Sequence, residues 1–252
     1  MSLVAAPSAQ AKYQDQVTAW CDDLAAGCAA AVLPALVGRS DRRDVERYIE
    51  NAVGERYRML HEETRMLALA FPSLDEQIVA YCHDTPRATY AYGERELVHF
   101  LRWLRRQGPL TPQQADFVTY HEAECACLAL AWKDQRAHRE FQRRAADRAS
   151  RCGGSDQSAA QRWQLNPIRV WACLSGTAVG LDGATMEHAL FYAAGQEVRM
   201  LWLPVAEMQL VWQLELLASA TLAEWSLACG VDRAQVAQVA EKLAAAGLLA
   251  TV

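Results

Sequence analysis

Glu187-His-Ala-Leu-Phe-Tyr-Ala-Ala-Gly-Gln-Glu-Val-Arg-Met-Leu-Trp-Leu-Pro-Val-Ala-Glu-Met-Gln-Leu-Val-Trp212 is the stretch that decides the fold class. Glu187 to Tyr192 and Glu197 to Leu203 are short runs rich in β-branched or aromatic residues, and the Ala-Ala-Gly-Gln between them supplies a turn, so the pair reads as a β-hairpin. Pro204 then opens a helix, with Val205, Met208, Val211, Trp212 and Leu216 expected to face inward at helical spacing. Upstream, Ile168 to Leu174 reads as a third strand. Downstream, Thr221 opens a second helix around Leu222, Trp225 and Leu227. Asp232 caps a third with Val236, Val239 and Leu243 on its apolar face, ended by Gly247. Three strands followed by three helices is the order of a winged-helix-like domain.

Further upstream the pattern is helical almost throughout. Val17, Trp20, Leu24 and Cys28 mark a helix within Lys12 to Leu36, and Val45, Ile49, Ala52, Arg56, Leu60 and Leu67 mark one from about Asp41 to Ala70, stopped by Pro72. Shorter helices are expected at Asp75 to Cys82 and at Glu94 to Arg106, the latter with Leu97, Leu101 and Leu104 inward and Gly108-Pro109 at its end. Thr111-Pro-Gln-Gln114 is a helix start in which threonine caps, proline takes the first position and Gln114 reaches back; a long helix follows to about Asp147. Several antiparallel helices joined by short turns imply an all-α domain. Residues 1–160 carry 20 basic and 22 acidic side chains, whereas residues 161–252 carry 5 and 8. This change places a helical domain at 1–150, a linker at 151–162 around Gly153-Gly154, and a winged-helix-like domain at 163–252. The expected class is α+β, mostly α.

Composition narrows the function. The chain has 252 residues and a net charge of −5, and its excess of arginine over lysine, 22 to 3, accompanies 46 alanines as a bias of the whole chain. The acidic balance argues against a general nucleic-acid binder, which needs a basic surface to displace counterions. No segment reaches the roughly 18 uninterrupted apolar residues of a membrane span, and no basic region precedes an early apolar run, so a cytoplasmic protein is expected. Cys21, Cys28, Cys82, Cys125, Cys127, Cys152, Cys173 and Cys229 form no C-x-x-C pair and are expected mostly as buried thiols.

The sharpest catalytic-looking cluster is His121-Glu-Ala-Glu-Cys-Ala-Cys127, in which His121 and Glu124 share a helix face as metal ligands of helical bundles do. A di-metal bundle needs such a pair twice, and His61-Glu62-Glu63 lacks the acidic partner because Thr64 stands there. The better-supported reading is a polar helix face with one buried or half-buried carboxylate bonded to an arginine. Cys82 and His83 are adjacent, so on a helix they point about 100° apart and do not form a nucleophile and base. The basic run Arg136 to Arg151, interleaved with Glu140 and Asp147, reads as a solvated face. With no site of catalysis evident, a binding role comes forward. A sheet with a free edge beside a helix accepts an extended peptide as an added strand; the edge would be Glu197 to Leu203 and the helix Asp232 to Ala246.

The carboxy-terminal part resembles the PqqD-like precursor-peptide recognition domains of ribosomal peptide biosynthesis. The resemblance lies in the hairpin Ala189 to Leu203, in Pro204-Val-Ala-Glu-Met-Gln-Leu-Val-Trp212 and Thr221-Leu-Ala-Glu-Trp225, and in the ending Val239 to Leu249. In the amino-terminal part, Tyr57-Arg58 with Phe71-Pro72, Pro86 through Tyr92-Gly93 to Phe100-Leu101, and Tyr120-His-Glu-Ala-Glu124 resemble the helical domain of HvfC-type partner proteins. Together the two parts resemble the TglI/MbnC/HvfC group, partners of multinuclear non-haem iron enzymes that modify cysteine in a ribosomally made peptide. The resemblance implies a non-catalytic subunit forming a heterodimer with an iron enzyme, with no cofactor of its own and the iron held by that enzyme. It implies peptide docking on the third strand, at Arg199, Leu201 and Leu203, and on the third helix, at Gln235, Val239 and Lys242. Two other readings stand beside it: a winged-helix transcriptional regulator, and a helical-bundle metalloenzyme using His121 and Glu124.

Overall fold

The computed structural model describes residues 54–85, 95–151, 160–175 and 187–252. They are mostly helical, with two small three-stranded antiparallel sheets toward the carboxy terminus. By packing, the chain divides into two compact units, Met1–Pro109 and Leu110–Val252. The expected helix at Lys12 to Leu36, the start of the one at Asp41 and the glycine-rich residues 152–159 lie outside the described residues.

In the first unit, α1 covers residues 54–63, α2 is Leu74–Asp84 and α3 is Glu96–Gln107. The helix expected to run to Ala70 stops earlier. The buried Thr64 hydroxyl donates to the Leu60 carbonyl at 2.6 Å, beside the Thr64 backbone N–H at 2.9 Å, and a short 3-10 turn at Leu67–Leu69 follows. Leu60, Leu67, Ile78, Tyr81, Phe100, Leu101 and Leu104 are buried, as the periodicity demands. Arg56, which sits in the apolar series of the first helix, is buried as a cation. Its Nη2 donates to Glu96 Oε1 at 2.7 Å and to the Thr85 carbonyl at 3.0 Å, and the Tyr81 hydroxyl donates to the same carboxylate oxygen at 2.9 Å. A guanidinium at the carbonyl end of α2 and a carboxylate in the first turn of α3 both match the helix dipoles.

The second unit opens with α4, Pro112–Lys133, whose start is a capping box: Gln114 N–H donates to Thr111 Oγ1, and Thr111 N–H donates to the Gln114 side chain. The long helix expected to reach Asp147 is broken at Asp134. There the chain turns, Asp134 Oδ1 accepts from Ala137 N–H at 3.3 Å, and α5 runs from Gln135 to Arg151. Next come β1 (Arg162–Leu165), β2 (Arg169–Leu174), β3 (Glu187–Ala194), β4 (Glu197–Leu203), α6 (Val205–Leu217), β5 (Ala220–Thr221), α7 (Leu222–Cys229), α8 (Arg233–Ala245) and β6 (Leu249–Thr251).

Strands β2, β3 and β4 form an antiparallel meander in that order. The β3–β4 turn is Gly195-Gln196, with Gly195 at φ 68°, the left-handed conformation that a tight hairpin requires. Strand β3 is apolar on both sides because both faces of the sheet are covered. Ala189, Phe191 and Ala193 pack toward Tyr120, Ala123, Cys127 and Ala131 of α4, while Leu190 and Tyr192 join Met208, Leu210, Val211, Leu214, Trp225, Val236, Val239 and Leu243 of α6, α7 and α8. Strand β1 lies between β5 and β6 in the second sheet. Asn166, fully buried, links the two sheets: its Nδ2 donates to the Ala193 carbonyl at 2.8 Å, and its backbone N–H donates to the Leu248 carbonyl at 2.9 Å.

Several expected faces are corrected. On α6, Met208 and Val211 are buried as expected, but the other inward positions are Leu210 and Leu214; Val205, Trp212 and Leu216 are exposed. On α7, Leu227 is 85% exposed. Both helices are apolar on nearly every side, so spacing alone does not select a face. The division between the compact units falls between Pro109 and Leu110, whereas the charge density changes near Gly153; α4 and α5 are rich in charge and belong to the same unit as the sheets.

Candidate peptide-docking edge

Strand β4 pairs only with β3 among the described residues, so its far side presents a row of backbone donors and acceptors without a strand partner. Register places Tyr192 opposite Arg199, Leu190 opposite Leu201 and His188 opposite Leu203. Successive side chains alternate: Val198, Met200 and Trp202 turn toward the α4 face, and Leu201 and Leu203 turn toward the helices that follow. The Tyr192 hydroxyl donates to the Ala246 carbonyl at 2.8 Å, tying the middle of the sheet to the end of α8. Burial pushes the Tyr192 phenol above its ordinary pKa, and the charge of nearby Arg199 opposes part of that rise.

The six expected docking residues divide by burial. Arg199 is exposed, 3.9 Å from Glu197, and Gln235 and Lys242 are exposed on α8. Lys242 Nζ donates to Glu207 Oε2 at 2.5 Å, which joins α8 to α6. Leu201 is half-buried against the hydrophobic cluster that contains Leu203 and Val239. Leu203 and Val239 themselves are 2% and 6% exposed, so they form the support beneath the surface and offer no free side chain to a ligand. The reachable set is Arg199, Leu201, Gln235 and Lys242.

The other candidates fare differently. His121 is 3% exposed; its Nδ1 lies 3.4 Å from Glu124 Oε2 without hydrogen-bond geometry, and its Nε2 has no hydrogen-bond partner. The buried carboxylate of this helix is Asp116, which accepts from the backbone N–H and hydroxyl of Ser175. Among the described residues no group of three His, Cys, Asp or Glu side chains comes together as a metal cage. Cys82 is buried, and desolvation raises its thiol pKa, whereas His83 is exposed, so the adjacent pair does point apart. The basic α5 is mostly solvated, with Phe141 turned in and Arg144 bonded to Gln164. No helix of the described residues is long and apolar enough to cross a membrane.

One pair escaped the sequence reading. Strand β2 is the other outer strand of the meander, and its exposed Cys173 stands opposite His188 of β3, with Sγ 3.5 Å from Nδ1. The His188 ring packs edge-on to Trp212 at 5.9 Å, and Trp212 meets Trp171 at 5.7 Å. Trp171 is held in turn by its indole N–H donating to Glu215 Oε2 at 3.0 Å, and Glu215 also accepts from Arg169. Cysteine and histidine 15 positions apart carry no motif; only the strand register brings them together.

Neither a protein-family model nor a curated protein sequence matches this chain.

Proposed function

We propose that this protein is a non-catalytic partner subunit that binds a ribosomally made precursor peptide through a winged-helix-like carboxy-terminal domain and presents the peptide's cysteine to an iron-dependent oxidative enzyme. The observation that supports it most is the outer strand β4, where half-buried Leu201 lies over a core built in part from Leu203 and Val239. An added peptide strand would pair with the β4 backbone, place an apolar side chain on Leu201 and meet polar groups at Arg199, Gln235 and Lys242. In the version known from 3-thiaglutamate biosynthesis, the modification removes the β-carbon of a carboxy-terminal cysteine. The iron belongs to the partner enzyme, in a heterodimer with this chain.

The test combines co-purification with a candidate iron enzyme and an anisotropy titration using a labelled cysteine-ending peptide encoded beside the two genes. Arg199→Glu should weaken binding about tenfold or more, the loss expected of a charge reversal at a binding rim, and slow turnover by the pair in step. Absence of binding by the full chain, together with unchanged turnover in Arg199→Glu and Leu201→Asp, overturns the reading.

The metalloenzyme reading has one observation in its favour: a buried His121 imidazole with neither nitrogen hydrogen-bonded. Stoichiometric iron or zinc in the isolated chain, lost in His121→Ala, would establish it. The regulator reading has a weaker footing, since Arg233 and the Glu207-paired Lys242 are the cations of α8; salt-dependent DNA binding is its test.

A further inference from the structure

We propose that Cys173 and His188 form a nucleophilic thiol site that exchanges with disulfides, preferentially those flanked by an aromatic group. The site does not rest on the peptide reading: its sulfur lies on β2, the opposite outer strand from β4, and its imidazole on the central strand β3. Of the cysteines among the described residues, Cys82, Cys125 and Cys127 are buried, Cys229 is half-buried and Cys173 alone is exposed. Exposure gives access, and His188 Nδ1 at 3.5 Å gives the sulfur a base within reach of its proton.

The base is held in place from two sides. Strand pairing fixes the two backbones directly opposite each other, and Trp212 packs against the imidazole while Trp171 backs Trp212. Trp171 is anchored through its indole on Glu215, so the aromatic wall rests on a hydrogen bond between β2 and α6. Trp212 is 43% exposed, which leaves an open aromatic surface beside the imidazole. An aromatic substituent on an incoming disulfide finds a stacking partner there.

The exchange is balanced without any further reactant. The Cys173 proton passes to His188 Nδ1, and the thiolate attacks one sulfur of RS–SR′. The S–S bond breaks as the Cys173–S–S–R bond forms, and R′S⁻ leaves, taking up the proton from His188. The incoming disulfide is the oxidant and Cys173 is oxidised to the mixed disulfide.

The full chain is treated with 4,4′-dithiodipyridine, and labelling of the Cys173 peptide is followed by mass spectrometry. Cys173 should react faster than free glutathione at the same pH, and His188→Gln should slow its labelling about tenfold or more, the loss expected when a positioned proton acceptor is removed. His188→Ala separates base from access: it uncovers the sulfur, so a thiol that is merely exposed would react faster, whereas a thiol that has lost its base reacts more slowly. Trp212→Ala, which also removes a support of the imidazole, should slow labelling by both disulfides and that by the aromatic disulfide several-fold more than that by 2-hydroxyethyl disulfide. Circular dichroism of each variant confirms that the fold is kept. Labelling of Cys173 no faster than glutathione, or unslowed in both His188 variants, overturns the proposal; equal effects of Trp212→Ala on the two disulfides overturn the aromatic preference.

Discussion

The two faces of the β2–β3–β4 sheet are both buried, by opposite means. Toward α4 the helix side is small: Ala123, Cys127 and Ala131 lie over Ala172, Ala189 and Ala193 of a sheet face that also carries Leu174 and Phe191, with Tyr120 edge-on to Phe191 at 5.2 Å. Toward α6, α7 and α8 it is large against large: Leu190, Tyr192 and Leu203 meet Leu210, Leu214, Trp225 and Leu243. One face is stabilised by close approach of a single helix, the other by the volume of interlocked side chains. The first should therefore be sensitive to added bulk and the second to lost bulk.

The largest effect is expected on the bulky face. Trp225 is fully buried, and its indole N–H donates to the Leu210 carbonyl at 2.8 Å, so truncation opens a cavity and removes one of that carbonyl's donors. Trp225→Ala should cost about 3–5 kcal/mol in urea unfolding, the usual range for removing a core aromatic. A cost below about 1 kcal/mol would mean that the three helices settle into the space, and the contrast between the faces would fail.

On the other face the experiment runs in reverse. Ala189→Leu should cost about 1–3 kcal/mol by overpacking. The neighbouring position, Leu190, points to the bulky face, so Leu190→Ala should cost about 2–5 kcal/mol. Adjacent residues on one strand would then penalise opposite changes in size. If Ala189→Leu is neutral, α4 moves away from the sheet freely and close approach is not what holds it.

Much of this arrangement could be read in advance. The three strands of the meander, the Gly-Gln turn, the helix starts at Thr111 and Pro204, and the Gly247 end all follow from local chemistry. β1, β5 and β6 could not be read in this way. They are four, two and three residues long, and β1 finds β5 and β6 almost 60 and 90 positions away, a pairing that no local pattern encodes. Arg56 falls at an apolar spacing and is buried as an ion because Glu96, 40 residues on, meets it. Of the six expected docking residues, Leu203 and Val239 are core, since apolar residues on a strand and on a helix read alike whether they line a groove or support it. The Cys173–His188 pair needed the register.

A chemical contrast between the faces follows from Cys127. It is fully buried on the sheet side of α4, its Sγ is directed at the Ile168 carbonyl 3.9 Å away, and desolvation, with a smaller contribution from Glu124, leaves its pKa pushed up to about 12 from an ordinary 9.0. The raised acid stays neutral in the fold while the unfolded chain ionises, so its share of stability is complete below pH 9 and is lost as pH rises from there toward about 12. Within that window the loss from this group should be roughly 1 kcal/mol per pH unit. Unfolding of Cys127→Ala as a function of pH should show a shallower alkaline decline than the parent; an identical slope would assign the decline to other groups.

The smallest expected effect lies where the bulky face meets the docking edge. Tyr192 contributes volume to the core, and its hydroxyl is bonded to Ala246 at the end of α8. Tyr192→Phe keeps the ring and removes the bond, leaving a carbonyl near the helix end with one acceptor fewer satisfied; the cost should be about 0.5–1.5 kcal/mol. Because Arg199 stands opposite Tyr192 in register, the same change tests whether the tie to α8 also positions the edge. If it does, Tyr192→Phe weakens peptide binding by more than its small loss of stability would suggest, and Arg199→Glu adds less in that background than alone. If the two changes are additive, the hydroxyl only stabilises, and the geometry of the edge is fixed by the bulk of the face beneath it.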